Sequence, residues 1–226
     1  MRADRTGRIE LLSLHVDRLS SSARALGHVY PGQAAIQSAL TDSLAKALKK
    51  HPFGVDAGHG NFTSVANFEP TEFRVRLLLA PTGQVTVTIA PLPALPAGQR
   101  VAFSRTILPS ESVWLQHKTT HRPWYQSAMA WIDEHPGFFD LIYLNELGEV
   151  CEGSRSSIYA KINDQWVTPP TRCGLLNGVQ RRALLRSEPI EEAVLRCNDL
   201  LGAQALRLSN ALRGWFDVTL DPHIKD

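Results

Sequence analysis

Between positions 91 and 98 the chain reads Pro91-Leu92-Pro93-Ala94-Leu95-Pro96-Ala97-Gly98, three prolines and a glycine in eight residues. Each proline fixes its own φ and lacks a backbone N–H, so this run can continue neither a helix nor the interior of a sheet. Elements that precede it have to be complete before it, and a new set has to start after it. A chain of 226 residues can bury one sizeable core or two modest ones. The run favours two: a small domain over 1–91, a linker over 92–98 and a larger domain over 99–226.

Patterning on the two sides differs in kind. Leu12, Leu14, Leu19, Ala23 and Leu26 recur at helical intervals between Ile9 and Leu26, and Gly27 supplies a stop. A second helix is expected from Gly32 to Lys50, with Leu40 and Leu44 inward and Lys46, Lys49 and Lys50 at the end where the helix dipole favours cations. The Gly- and Asn-rich stretch from His51 to Glu69 reads as loop. Glu72 to Leu79 and Gln84 to Pro91 flank Pro81-Thr82-Gly83, and Val85-Thr86-Val87-Thr88-Ile89 alternates with period two, which predicts a hairpin. Beyond the linker, short strands (Leu141 to Asn145, Ile158 to Ile162, Gln165 to Val167) alternate with helices, the clearest from Gly178 to Arg186. The expected fold class is mixed α/β (α+β).

Composition narrows the partners. The 24 basic and 22 acidic residues nearly cancel, which argues against nucleic acid or an anionic membrane and for a small molecule. Cys151, Cys173 and Cys197 form no C-x-x-C pair, so neither zinc nor a redox dithiol is expected, and reduced thiols suit a cytoplasmic protein. No window approaches the roughly 18 apolar residues of a membrane helix, and Met1-Arg2-Ala3-Asp4-Arg5 has no signal-peptide core behind it.

Three segments could carry chemistry. The strand Asp140-Leu141-Ile142-Tyr143-Leu144-Asn145 turns at Glu146-Leu147-Gly148, and a second short run delivers Glu152, setting a carboxylate between strands; an ordinary turn acid is the competing reading. Cys173-Gly174-Leu175-Leu176-Asn177-Gly178 opens directly into a helix, whose free N–H groups suit an anion such as phosphate, although most helix starts hold none. His117-Lys118-Thr119-Thr120-His121-Arg122 is a basic run that reads equally as solvated surface. Its two histidines lack a third ligand at metal-site spacing, so no metal is expected. Gly153-Ser154-Arg155-Ser156 lacks the second glycine of a serine-hydrolase elbow.

The order of the motifs is more specific than any one of them. His15-Val16-Asp17-Arg18-Leu19, Lys118-Thr119-Thr120, Gly148-Glu149-Val150-Cys151-Glu152, Thr168-Pro169-Pro170, Leu175-Leu176-Asn177-Gly178-Val179-Gln180-Arg181 and Asn210-Ala211-Leu212-Arg213-Gly214 follow one another along nearly the whole chain. In this order they resemble the class IV (fold-type IV) pyridoxal-phosphate enzymes, which include branched-chain aminotransferases, D-amino-acid aminotransferases and aminodeoxychorismate lyases. The resemblance implies a two-domain fold with a larger C-terminal α/β pseudo-barrel, pyridoxal 5'-phosphate as cofactor, and a homodimer with its sites near the interface.

It also implies roles. Lys118 would carry the cofactor as a Schiff base and move protons, and Glu152 would face the pyridine nitrogen. Arg18, the N–H groups of Val179 and Gln180, and the Asn210–Ala211 turn would bind the phosphate. Arg76 or Arg155 would take a substrate carboxylate, with Arg74, Arg105 and Arg122 as further candidates. Ser157 stands where the family carries an asparagine that contacts the cofactor. The stretches around Lys118, Glu152-Gly153-Ser154-Arg155-Ser156 and Asn210-Ala211-Leu212-Arg213-Gly214-Trp215 are most similar to aminodeoxychorismate lyases, implying release of p-aminobenzoate and pyruvate from 4-amino-4-deoxychorismate. A branched-chain or D-amino-acid aminotransferase is the second reading. An inert homologue is the third, because of Ser157 and because relatives carry some 20 to 30 residues before the first helix, so that the first strand is expected to be missing.

Overall fold

The computed structural model describes residues 1–50 and 71–226, so the loop expected over 51–69 lies outside the described residues. The chain divides into two compact units, Met1–Ala94 and Leu95–Asp226.

The first unit contains β1 (Arg2–Asp4), α1 (Leu12–Ala25), α2 (Gln33–Lys50), β2 (Glu72–Leu79) and β3 (Val85–Pro91), with an antiparallel sheet in the order β1-β2-β3. Alternation along β2 sends Phe73 and Val75 into the core and leaves Arg74 and Arg76 exposed. Val16 of α1 and Ile36, Leu40 and Leu44 of α2 pack onto that inner face. The sequence reading left this edge without a strand. Arg2–Asp4 supply one, anchored by the fully buried Ala3 opposite Phe73.

The second unit runs β4 (Arg100–Leu108), α3 (Val113–Gln116), a 3-10 turn (Pro123–Tyr125), α4 (Gln126–Glu134), β5 (Phe138–Asn145), β6 (Val150–Gly153), β7 (Ser157–Ile162), β8 (Gln165–Thr168), α5 (Val179–Ser187), β9 (Ile190–Glu192), α6 (Cys197–Leu201), β10 (Ala205–Asn210) and β11 (Gly214–Lys225). Its eight strands lie in the order β6-β5-β4-β11-β10-β7-β8-β9. β4 runs parallel to β5 and β11, and β8 to β9; the remaining neighbours are antiparallel.

This order forces curvature. β6 and β7 stand at the first and sixth places, about 24 Å apart in a flat sheet. Only residues 154–156 connect them, a reach of roughly 14 Å. The sheet is curled, and the mixed α/β pseudo-barrel implied by the motifs is what the chain forms. β5 explains its own near-continuous apolar run, because Phe139 and Ile142 pack into one cluster while Leu141 and Tyr143 pack into another. Among the described residues, no helix is long and apolar enough to cross a membrane.

Candidate active site

The central acid is Glu152 on β6, only 5% exposed. Its Oε1 accepts a hydrogen bond from the Tyr125 hydroxyl at 2.9 Å, and its Oε2 accepts one from the Leu176 backbone N–H at 3.2 Å. Burial pushes its pKa up to about 7, against the pull of Arg122, the Tyr125 hydroxyl, Lys118 and the Leu176 N–H. Lys118 itself lies in the extended loop after α3, with its side chain exposed and its charge acting on Glu152.

The turn that leaves β6 is held from below. Asp140 of β5, fully buried, accepts hydrogen bonds from the N–H groups of Leu141 (3.0 Å), Ser154 (2.8 Å) and Arg155 (3.1 Å) and from the hydroxyls of Ser154 (2.5 Å) and Ser156 (2.6 Å). A Cβ on Gly153 would run into the same carboxylate and the Ser156 hydroxyl, so only glycine fits. Asn145 organises the other end of β6. Its Oδ1 accepts from Leu147 and Glu149 N–H, and its Nδ2 donates to the Glu149 carboxylate and the Cys173 carbonyl. Gly174 adopts φ +85, and a Cβ there would come within 2.5 Å of the Ser110 Cα, so this loop too demands glycine.

A second group of donors gathers at the start of α5. Gly178 caps the helix without any side-chain hydrogen bond, leaving the Val179 and Gln180 N–H groups at its positive end. Ser157 lies against this start, its hydroxyl 3.3 Å from where a Gly178 Cβ would sit, and it pairs across the ladder with Ser209. The next residue, Asn210, folds the chain into a turn in which its Oδ1 accepts the Leu212 and Arg213 N–H groups, both at 3.0 Å, while its Nδ2 donates to the Arg155 carbonyl. Ala211 therefore sits at the tip of a turn tied to the one that follows Glu152. Arg181, 2% exposed, pins the helix start by donating to the Pro169 carbonyl at 2.8 Å, to Asn177 and to the Glu192 carboxylate.

One consequence can be measured without any ligand. Because the folded-state pKa of Glu152 is raised above its unfolded value, the folded protein holds a proton that the unfolded chain releases. Stability is then full below about pH 4.5 and falls as pH rises through about 7, by up to about 3 kcal/mol. Denaturant melts across that window should show this slope in the wild type and lose it in Glu152→Gln.

A family model for class IV aminotransferases matches residues 1–220. The chain belongs to the class IV aminotransferase family. Among similar class IV proteins, one of Schizosaccharomyces pombe named "Putative aminodeoxychorismate lyase" is 27% identical over 216 residues, 92% of this chain and 82% of that one. The crystal structure of a "Putative amino-acid aminotransferase" from Mesorhizobium loti superposes with a TM-score of 0.79 at 30% identity, covering 98% of this chain and 97% of that one. A Mycobacterium tuberculosis structure, titled a hypothetical aminotransferase in PLP-bound form, gives 0.73 at 22% identity over 95% and 78% of the two chains.

Against the expectations for a class IV enzyme, the second unit brings together Glu152, Ser157, Val179, Gln180, Asn210 and Ala211, with Lys118 acting on Glu152. Arg18, half-buried on α1, and Arg76, exposed on β2, belong to the first unit. Arg155 is committed elsewhere: its guanidinium donates to the Phe139 carbonyl, lies 3.7 Å from the Met129 sulfur and stacks over the Phe139 ring. His121 packs edge-on against Trp114, and among the described residues no His, Cys, Asp or Glu cluster could hold a metal. The sequence reading missed Asp140 and Tyr125 as site residues. An acid inside an otherwise apolar strand was the available signal for the first; the second, seven residues past Lys118, gave none.

Proposed function

We propose that the chain is a pyridoxal-phosphate enzyme acting as a 4-amino-4-deoxychorismate lyase. The observation that carries the reading is the buried carboxylate of Glu152, faced by Lys118 and Arg122 and tied through the Arg155 carbonyl to the turn beside an uncapped helix start. These residues fit the cofactor. Glu152 would hold a proton on the pyridine nitrogen, and Val179, Gln180, Ala211 and Ser157 would take the phosphate. When bound, the cofactor supplies an electron sink for the carbon next to the reacting amine.

Lys118 would hold the cofactor through Nζ and would serve as the base that takes the ring proton. Loss of that proton aromatises the ring as the enolpyruvyl C–O bond breaks. The products, p-aminobenzoate and pyruvate, account for every atom of the substrate, and no second amino acid is consumed. The relative named as an aminodeoxychorismate lyase supports this choice. The aminotransferase name of the structure at 30% identity favours the second reading, a transaminase.

Incubating the protein with pyridoxal phosphate and borohydride should fix the cofactor on Lys118, and aminodeoxychorismate should then yield p-aminobenzoate. Transfer of an amino group to 2-oxoglutarate without p-aminobenzoate would replace the lyase by the transaminase. No fixation at all would leave only the inert homologue. A homodimer is part of the proposal, since Val113 and Trp114, exposed just before the Lys118 loop, offer an apolar face for a second copy; a monomeric sedimentation profile would remove it.

A further inference from the structure

Tyr125 is buried, with the edge of its ring packed against Tyr143 at 4.9 Å between centroids and the Arg122 guanidinium over it at 4.2 Å. Its position is fixed by aromatic packing, and its hydroxyl points at one atom, Glu152 Oε1. We infer that Tyr125 is a positioning residue for the acid that faces the cofactor ring, holding the Glu152 carboxylate in one orientation and favouring its charged form. The inference rests on the cofactor reading for its purpose, but not for its geometry.

A carboxylate offers about four acceptor positions. Tyr125 takes one on Oε1 and Leu176 N–H takes one on Oε2, so each oxygen keeps a lone pair for a ring N–H. The two donors come from different segments. Tyr125 closes the loop that carries Lys118, and Leu176 lies just ahead of the α5 start, with Gly178 N–H donating to its carbonyl at 2.8 Å. Glu152 is thereby keyed to both.

The phenol is also locked as a donor. Burial, then the neighbouring Glu152 charge, push its pKa far above the ordinary tyrosine range, so it keeps its proton wherever the protein is folded. A permanent donor favours the ionised carboxylate over the neutral acid. It opposes the burial that pushes Glu152 upward. Other charged or titratable groups face this pair: Lys118 and Arg122 from the loop after α3, Cys151 on the same strand, and Tyr143 from β5, which itself feels Asp140. Tyr125 donates to Glu152 directly, at 2.9 Å.

The test uses the full chain without cofactor, labelled with ¹³C at the glutamate carboxyls, with Glu152→Gln identifying the resonance. The wild-type midpoint is expected near pH 7. Tyr125→Phe should raise it by about one pH unit, the worth of one charge-assisted hydrogen bond. Placing 3-fluorotyrosine at 125, a stronger donor of almost the same volume, should lower it. Movement in opposite directions supports the role, since a residue that merely fills space would not produce it. Midpoints that stay put or move together overturn it. If the phenylalanine variant fails to fold, the fluorinated protein alone decides by whether its midpoint falls. No pyridoxal phosphate is present, so failure of the cofactor reading shows in the borohydride experiment and not here.

Discussion

Replacing Lys118 with alanine is expected to abolish the borohydride-stable adduct with pyridoxal phosphate and to lower turnover on the order of 10⁴-fold or more, because one amine serves both as covalent anchor and as proton carrier. Its position supports a loss this large. Lys118 is the lysine whose charge is felt at Glu152, whereas Lys161 is paired with Asp164 at 3.1 Å at the far end of β7. Lys118→Arg separates two contributions. It keeps a cation beside Glu152, so the titration of that acid should change little, yet it has no amine to form the adduct and should be as inactive as the alanine variant. Mass spectrometry of the borohydride-treated proteins reads the adduct directly. A cofactor-sized mass increase retained in Lys118→Ala would move the anchor elsewhere.

Asp140→Ala is expected to lower stability by about 4 kcal/mol and the melting temperature by roughly 10 °C, although Asp140 touches no proposed ligand. Five donors converge on its carboxylate, four of them from the Ser154–Ser156 turn. Removing the acceptor leaves buried N–H and O–H groups without partners, each at a cost of about 1–3 kcal/mol before relaxation. The same turn closes the curled sheet between β6 and β7, with Glu152 on one side and Ser157 on the other. Cofactor affinity should therefore fall with stability. Asp140→Asn preserves the shape but presents an NH₂ group to some of those donors, and should fall between alanine and wild type. Calorimetry and cofactor titration of the three proteins test this; an unchanged melting temperature in Asp140→Ala would show that the turn stands without its acid.

The elements visible in the sequence are those whose signal is local. α1 and α2 carry their own apolar stripes, β2 and β3 alternate around a Pro-Thr-Gly turn, and α5 begins after a glycine. β4, β10, β11 and α4 were not foreseen. β4 and β11 owe their conformation to each other, residue 100 pairing with residue 219, and a local window cannot contain that partner. The expected strand begins at Asp140 or Leu141, whereas β5 starts at Phe138 and takes the acid inside it. The acid is there to be reached by serines fourteen and sixteen residues later.

At the site, motif order drew attention to Lys118, Glu152, Ser157 and the α5 start, because each sits in a short segment with its own shape. Contacts between segments were not legible. Arg155 looked available for a substrate until its guanidinium was found against Phe139, and Arg181, one more letter of a motif, proved to be the pin that fixes the helix start.

The place of β11 bears on how the chain folds. It is the last of the eight strands in sequence yet lies fourth in the sheet, between β4 and β10. Until residues 214–225 dock, β6-β5-β4 and β10-β7-β8-β9 are two half-sheets, each with an open inner edge. Joining them requires a contact between residues more than a hundred positions apart, which puts the slow, search-limited step of assembly at the end. A chain arrested before β11 docks would expose two unpaired edges at once, and those edges would pair with other copies of the chain as readily as with the missing strand.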